Sequence, residues 1–234
     1  QSHTVWWTGD RPCTQAGQTL PLALGLVPPE HRAAVERALL REITAHSNRV
    51  STGFVATPYL LEVLADLAPE VAWAMTSARD FPSWYGMTAG SGSDVMKETW
   101  AGGQALMPSL GGNIAMWHME GLAGIRPDPA GPGFRKFIIK PALVGELTWV
   151  EAHHDSPHGR IESAWKKTGT RVEMRVVVPP NTTATVWVPG AAAEIQVNKW
   201  PAAGAVGVRF LRQQGGRCVF EVQAGRYAFE GVTR

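Results

Sequence analysis

The chain has 234 residues, enough for one large domain or two modest ones with their own cores, and its 44% hydrophobic and 18% charged content excludes a disordered polar chain. Its 22 basic and 20 acidic side chains leave a formal charge of +2. No Lys/Arg cluster is interleaved with aromatics, which speaks against a nucleic-acid partner, and no run approaches the roughly 18 apolar residues of a membrane span.

The chain opens at Gln1 without Met or a signal peptide and passes at once into what reads as the middle of a domain. It is expected to be a fragment, so its start assigns no compartment; periplasmic, secreted and cytoplasmic all stay open. Residues 14 to about 125 read as helical. Leu20, Leu22, Leu24 and Leu26 form a first apolar segment, stopped by Pro28-Pro29. A second helix is predicted over 30–46, where Val35, Leu39, Leu40 and Ile43 recur at the spacing of one helical face. Glu30 in its first turn and His46 at its end suit the helix dipole. After a break at Gly53, Thr57 is expected to cap a third helix with Pro58 at the first position and Leu60, Leu61, Leu64 and Leu67 on the apolar face. Pro69 starts a fourth, carrying Val71, Ala72 and Met75, and the pair reads as a helical hairpin. Residues 82–111, rich in Gly, Ser and Pro, lack a period and suit a long loop lining a cleft. A last apolar helix over about 113–123 should end at Gly124.

Past Pro132 the pattern changes to short strands: 137–139, 147–152, 160–165, 172–178 and 184–188, then 194–197, 208–211, 218–222 and 227–229. Pro157-His158-Gly159, Thr168-Gly169 and Pro179-Pro180-Asn181 supply turns between them. Such spacing predicts an antiparallel β-sandwich, and helices followed by strands without alternation predict two domains. The expected division is a helical domain over 1–128 and a sandwich over 129–234.

Candidate chemistry concentrates in the loop. A sugar hydrolase of the common kind needs two carboxyl groups, one to protonate the leaving oxygen and one to attack the sugar or deprotonate water. The loop offers Asp94 and Glu98, with Trp84 and Trp100 nearby. Glu98 lies two residues before Trp100, so in an extended segment both face one side, where an indole would desolvate the carboxylate and strengthen it as a base. A solvated loop carboxylate is the plainer reading of the same pattern. Ten tryptophans against three tyrosines are compatible with a sugar-binding cleft, and equally with core packing. His153, His154, Asp155 and His158 resemble a metal cluster, but the first two are adjacent on a predicted strand and point to opposite faces, which favours a structural role. His118, inside an apolar helix, reads as a hydrogen-bonded core or rim residue rather than a ligand. Gly90-Ser91-Gly92-Ser93 lacks the Lys and the strand of a phosphate loop, and no nucleophile elbow or dinucleotide fingerprint is present, so no cofactor or metal is expected. Cys13 and Cys218 match neither a metal spacing nor a disulfide framework; two buried thiols are the favoured reading over a bridge.

Several segments, taken in order, resemble the bacterial α-L-rhamnosidases of the six-hairpin glycosidase type. They are Thr14-Gln15 before the helix ending Leu24-Gly25-Leu26-Val27-Pro28; Thr52-Gly53-Phe54 with Thr57-Pro58-Tyr59; Asp80-Phe81-Pro82-Ser83-Trp84; and Asp94 to Trp100 around Glu98. Leu122-Ala123-Gly124-Ile125-Arg126-Pro127, Pro132-Gly133-Phe134, Leu147-Thr148-Trp149, Asp155-Ser156-Pro157-His158-Gly159 and Pro179-Pro180-Asn181 continue the series.

The resemblance implies part of an (α/α)6 six-hairpin barrel followed by the sandwich, acting by inversion on terminal α-L-rhamnosyl residues of glycosides or polysaccharides. It makes Glu98 the general base and Trp100, Trp84 and Asp94 substrate-binding residues. For the two tryptophans, loop anchors packed into the barrel remain an equal reading. The family's general acid is a glutamate in an upstream acidic motif that this sequence does not contain; Trp7-Thr8-Gly9-Asp10 echoes only its tail. The missing N-terminal barrel half is thus an expected partner, and the chain alone is expected to be inactive or nearly so. Where relatives place a sugar-contacting histidine after a serine-leucine pair, Ser109-Leu110 are followed here by Gly111-Gly112, which bears on substrate choice. Two other functions stay open: a noncatalytic carbohydrate-binding module, whose sugar binding would survive Glu98→Gln and map to the sandwich, and a six-hairpin glycosidase for another sugar.

Overall fold

Thr14 opens the first helix of the computed structural model, which describes residues 14–88, 92, 96, 99–100 and 109–233. Its hydroxyl accepts a hydrogen bond from the Gly17 N–H at 3.1 Å and so caps α1 (Gln15–Ala23). At the other end Gly25, at φ +66°, turns the chain left-handed, and the Gly25 and Leu26 N–H groups reach back to the carbonyls of Leu22 and Pro21. These are the two bonds of a Schellman stop, and they satisfy carbonyls that the helix leaves open.

α2 (Pro29–Ala45) buries Val35, Ala38, Leu39 and Ile43, the face that the spacing predicts. α3 (Thr57–Leu67) buries Leu60, Leu61 and Leu64, and α4 (Pro69–Thr76) follows after Ala68 alone. α1 packs on α2 and α3, and α3 also meets α4. One expectation fails locally. Thr57 is the first helical residue rather than the cap, because its hydroxyl donates backward to the Gly53 carbonyl at 2.8 Å; Ala56 occupies the cap position without a side-chain bond. Within the predicted loop, Ser83 caps a single turn, α5 (Trp84–Met87), by accepting from the Gly86 N–H.

α6 (Ser109–Met116) passes directly into a π-helical turn, Trp117–Leu122, and the chain leaves it through Gly124. By contact density the chain divides into two units, Gln1–Trp117 and His118–Arg234.

The second unit is a two-sheet sandwich. One sheet has the order β1-β2-β6-β10-β9, from β1 (Ile125–Pro127), β2 (Lys136–Ile139), β6 (Thr183–Pro189), β10 (Arg217–Val222) and β9 (Val208–Gln214). The other runs β3-β4-β5-β11-β7-β8, from β3 (Trp149–Ser156), β4 (Gly159–Thr168), β5 (Arg171–Val178), β11 (Gly225–Val232), β7 (Gln196–Val197) and β8 (Trp200–Pro201). All pairings are antiparallel except β2 with β6, which is parallel. Strict alternation puts Val172, Met174, Val176 and Val178 inside on β5 and their neighbours outside. Facing them are Ala184, Val186 and Val188 of β6 and Phe220 of β10, with Phe220 and Phe229 ring centroids 6.0 Å apart.

Side chains of the second unit take the carbonyls at the end of the π-helical turn. The indole of Trp165 donates to the Leu122 carbonyl at 2.9 Å, the Ser163 hydroxyl to that of Ala123 at 2.7 Å, and Arg126 Nε to that of Glu120 at 2.8 Å. Gly124 makes this close approach feasible. It sits at φ +75°, and a Cβ there would lie 2.3 Å from the Lys140 carbonyl carbon and the Pro141 nitrogen.

Candidate active site of the helical unit

Of the predicted site residues, Asp94 and Glu98 lie outside the described residues, as do Cys13 and most of the loop around them. Trp84 and Trp100 are described and meet. Trp84 is fully buried, and its ring stands edge-on to Trp100 with centroids 5.0 Å apart. Trp100 is half-buried, and its indole Nε1–H donates to the Thr52 carbonyl at 2.6 Å.

That carbonyl belongs to a segment held in place by buried polar groups. Gln15, with no exposed surface, donates from Nε2 to the Arg49 carbonyl at 2.8 Å and accepts from the Ser51 N–H at 2.9 Å. The amide thereby pairs both of its ends, as a buried side-chain amide must. The buried hydroxyls of Thr52 and Thr57 lie 2.9 Å apart. Arg49 also pairs with the Asp80 carboxylate at 2.9 Å, which ties the start of the Trp84 turn to the same segment. In the sequence Gln15 and Thr52 stand out only as letters of the family resemblance, and Thr57 only as an expected helix cap. The links that Gln15 and Thr52 make around Trp100 span 34 to 48 residues, which no local pattern reveals.

Two neighbouring polar side chains of α1 behave differently. Both amide atoms of Gln18 and the hydroxyl of Thr19 are buried and have no hydrogen-bond partner among the described residues. Unpaired buried groups of this kind cost stability until something reaches them.

In the sandwich the histidines keep to separate roles. His153 is exposed, while the half-buried His154 stacks against Phe134 with centroids 4.3 Å apart. Asp155 takes two bonds from Arg160, at 2.8 and 3.3 Å, and the first of these holds its carboxyl below the usual carboxylate range. Among the described residues no group of three or more His, Cys, Asp or Glu is placed to hold a metal. His118 is exposed along one side, and desolvation of the remainder lowers its pKa. Cys218 is buried, donates to the Gly190 carbonyl at 3.3 Å, and has its thiol pKa raised by burial.

Helical hairpins followed in sequence by a β-sandwich are the architecture of the six-hairpin glycosidase class with its C-terminal sheet domain. Residues 8–120 match the model of the bacterial α-L-rhamnosidase 6 hairpin glycosidase domain, and residues 124–200 match that of the bacterial α-L-rhamnosidase C-terminal domain. The chain belongs to the bacterial α-L-rhamnosidase family, and what it carries is the C-terminal portion. An α-L-rhamnosidase of Streptomyces avermitilis is 34% identical over 231 residues, covering 92% of this chain and 21% of that protein. The crystal structure of the Streptomyces avermitilis α-L-rhamnosidase complexed with L-rhamnose aligns with a TM-score of 0.81 at 32% identity, over 97% of this chain and 22% of that one. The α-L-rhamnosidase of Dictyoglumus thermophilum aligns at 0.82 and 28% identity, over 94% of this chain and 25% of its own. The chain thus spans about a quarter or less of the length of these relatives.

Proposed function

We propose that this chain contributes the general-base side of an inverting α-L-rhamnosidase site, with Glu98 as the base. What carries the reading is the family match over residues 8–120 combined with the fixed position of Trp100, two residues past Glu98. An inverting glycosidase holds its two carboxyl groups roughly 6.5–9.5 Å apart so that a water fits between the base and the anomeric carbon. Glu98 takes a proton from that water as it attacks. Trp100 lines the hollow, Trp84 supports it from behind, and Asp94 binds the sugar hydroxyls. The domain division at 128/129 belongs to the same proposal, as does a substrate of terminal α-L-rhamnosyl groups.

The leaving oxygen also needs a proton, and the sequence has no counterpart of the family's acidic motif. The 234-residue chain by itself is therefore expected to be nearly inactive, short by the ~10²–10⁴-fold that a general acid supplies. The test is hydrolysis of an aryl α-L-rhamnoside by a longer protein made by joining this chain to the N-terminal part of a full-length α-L-rhamnosidase, with the anomer formed first read by NMR. Glu98→Gln should lower kcat by about 10²–10⁴-fold with little change in KM. Full activity in that variant, or turnover by the 234-residue chain at an ordinary enzymatic rate, would overturn the assignment.

A further inference from the structure

The outer face of the β3-β4-β5-β11 sheet is not a uniform polar surface. The strand registers set its side chains in rows across the sheet. One row runs Glu151, Ala164, Arg175, Ala228, and the next runs His153, Glu162, Val177, Arg226. Two alanines in the first row leave the sheet floor bare between long charged walls. The result is a hollow of about 440 Å³, within the ~300–1,000 Å³ of small-ligand sites. A second hollow of about 280 Å³ lies beside it, sharing Glu151, Ala164 and Arg175 and edged by Trp149. Trp149 is 64% exposed, so a large indole is held open to solvent on a polar face.

The charges around the floor are balanced. Arg175 pairs with Glu151 at 3.3 Å, Arg226 with Glu162 at 3.9 Å, and Arg160 with Asp155 at 2.8 Å. An anionic ligand would have to displace a resident carboxylate, and a cation would have to displace a guanidinium. A neutral polyol meets no such conflict. Each of its hydroxyls can donate to a carboxylate and accept from a guanidinium, while the C–H face of a sugar ring lies on the flat indole. The pairs stay in place around such a ligand, which adds no net charge that would leave either partner unmatched.

We infer that this sheet face is a binding site for a neutral oligosaccharide, with one sugar unit over the alanine floor between Glu151, Arg175 and Arg226 and a neighbouring unit against Trp149. The site is independent of Glu98 and of hydrolysis. It would hold the chain on a glycan while the helical unit meets a terminal residue.

The test is ligand-observed NMR titration of the whole chain with galactotetraose, xylotetraose and cellotetraose, and with tetragalacturonate as the acidic counterpart. At least one neutral probe should bind saturably. Trp149→Ala, and Ala228→Arg to fill the floor, should each weaken it by about tenfold or more with the thermal melt unchanged. Glu98→Gln should bind like the parent chain. Loss in Glu98→Gln with retention in the two sheet variants would move the binding to the helical unit and overturn the proposal. Preference for tetragalacturonate, or no saturable binding of any neutral probe, would overturn it as well. Neither result bears on whether Glu98 is the base, which kcat of the longer protein reads.

Discussion

Trp100 shows how a single side chain can be over-determined. Its N–H is spent on a backbone carbonyl and its ring edge on a buried indole, so the residue has little freedom left. Replacing it with Phe keeps the ring contact and leaves the Thr52 carbonyl without that donor. The expected cost is about 0.5–1.5 kcal/mol of stability, measurable by denaturant unfolding, with a fall in kcat of the longer protein. Cys218 is equally constrained and chemically quiet. Its raised thiol pKa and full burial predict no reaction with a thiol reagent in the folded protein and prompt reaction once denaturant opens the sandwich. Asp155 provides the pH test. Its folded-state pKa lies below the unfolded value, so its contribution is complete above the unfolded carboxylate pKa, near ~3.9, and fades as pH falls through the lowered folded value. Carbon-detected NMR titration should find the low value in the parent chain and a return toward the ordinary range in Arg160→Ala.

Among the elements, the sequence was most legible where a period survived. The stripe of Val35, Leu39 and Ile43 marked α2, and the alternation from 172 to 178 marked β5 with both of its faces assigned. Ends were less legible. β3 starts at Trp149 and runs to Ser156, rather than from 147 to 152, because pairing with β4 extends the ladder through polar residues that carry no hydrophobic signal. β1 and β8, of three and two residues, are too short to show any period. The π-helical turn has no local signature in the sequence, and the side chains that bond the carbonyls at its end, Arg126, Ser163 and Trp165, lie as far as 43 residues on. In the site, Trp84 and Trp100 could be named but not distinguished, because burial of one behind the other is a tertiary fact. At this scale Gly124→Ala is the sharpest test. It combines a left-handed backbone with a clash against the 140–141 peptide, so a loss on the order of 1–3 kcal/mol or more is expected in thermal unfolding.

At the scale of the whole molecule, the two units differ in completeness. The sandwich closes a continuous core around Phe137, Phe220 and Phe229, and Phe229→Ala should cost it about 3–5 kcal/mol. Both units expose apolar side chains, Leu24, Leu26, Phe54, Val55 and Phe81 on the helical one and Trp149, Trp200, Val206 and Phe210 on the sandwich, but the helical unit also buries the amide of Gln18 with no partner among the described residues. Apolar groups left in water and polar groups left dry both lower its stability. Limited proteolysis of the whole chain should therefore cut first within residues 14–117 and leave a resistant product covering about 118–233. Equal resistance of the two units would overturn this difference in stability.

The parallel pairing of β2 with β6 imposes an order of events on the newly made chain. Lys136 to Ile139 pair with β1 at once but find their second ladder only when Thr183 to Val186 have been synthesised, after the whole β3-β4-β5 meander has intervened. Until then the first hairpin has an open edge, and the meander must form by its own short-range contacts. A nascent chain halted at residue 178 would thus hold the β1-β2 hairpin and the β3-β4-β5 meander as separate pieces; β6 then widens the first, and only the last strands, β9, β10 and β11, complete the two sheets.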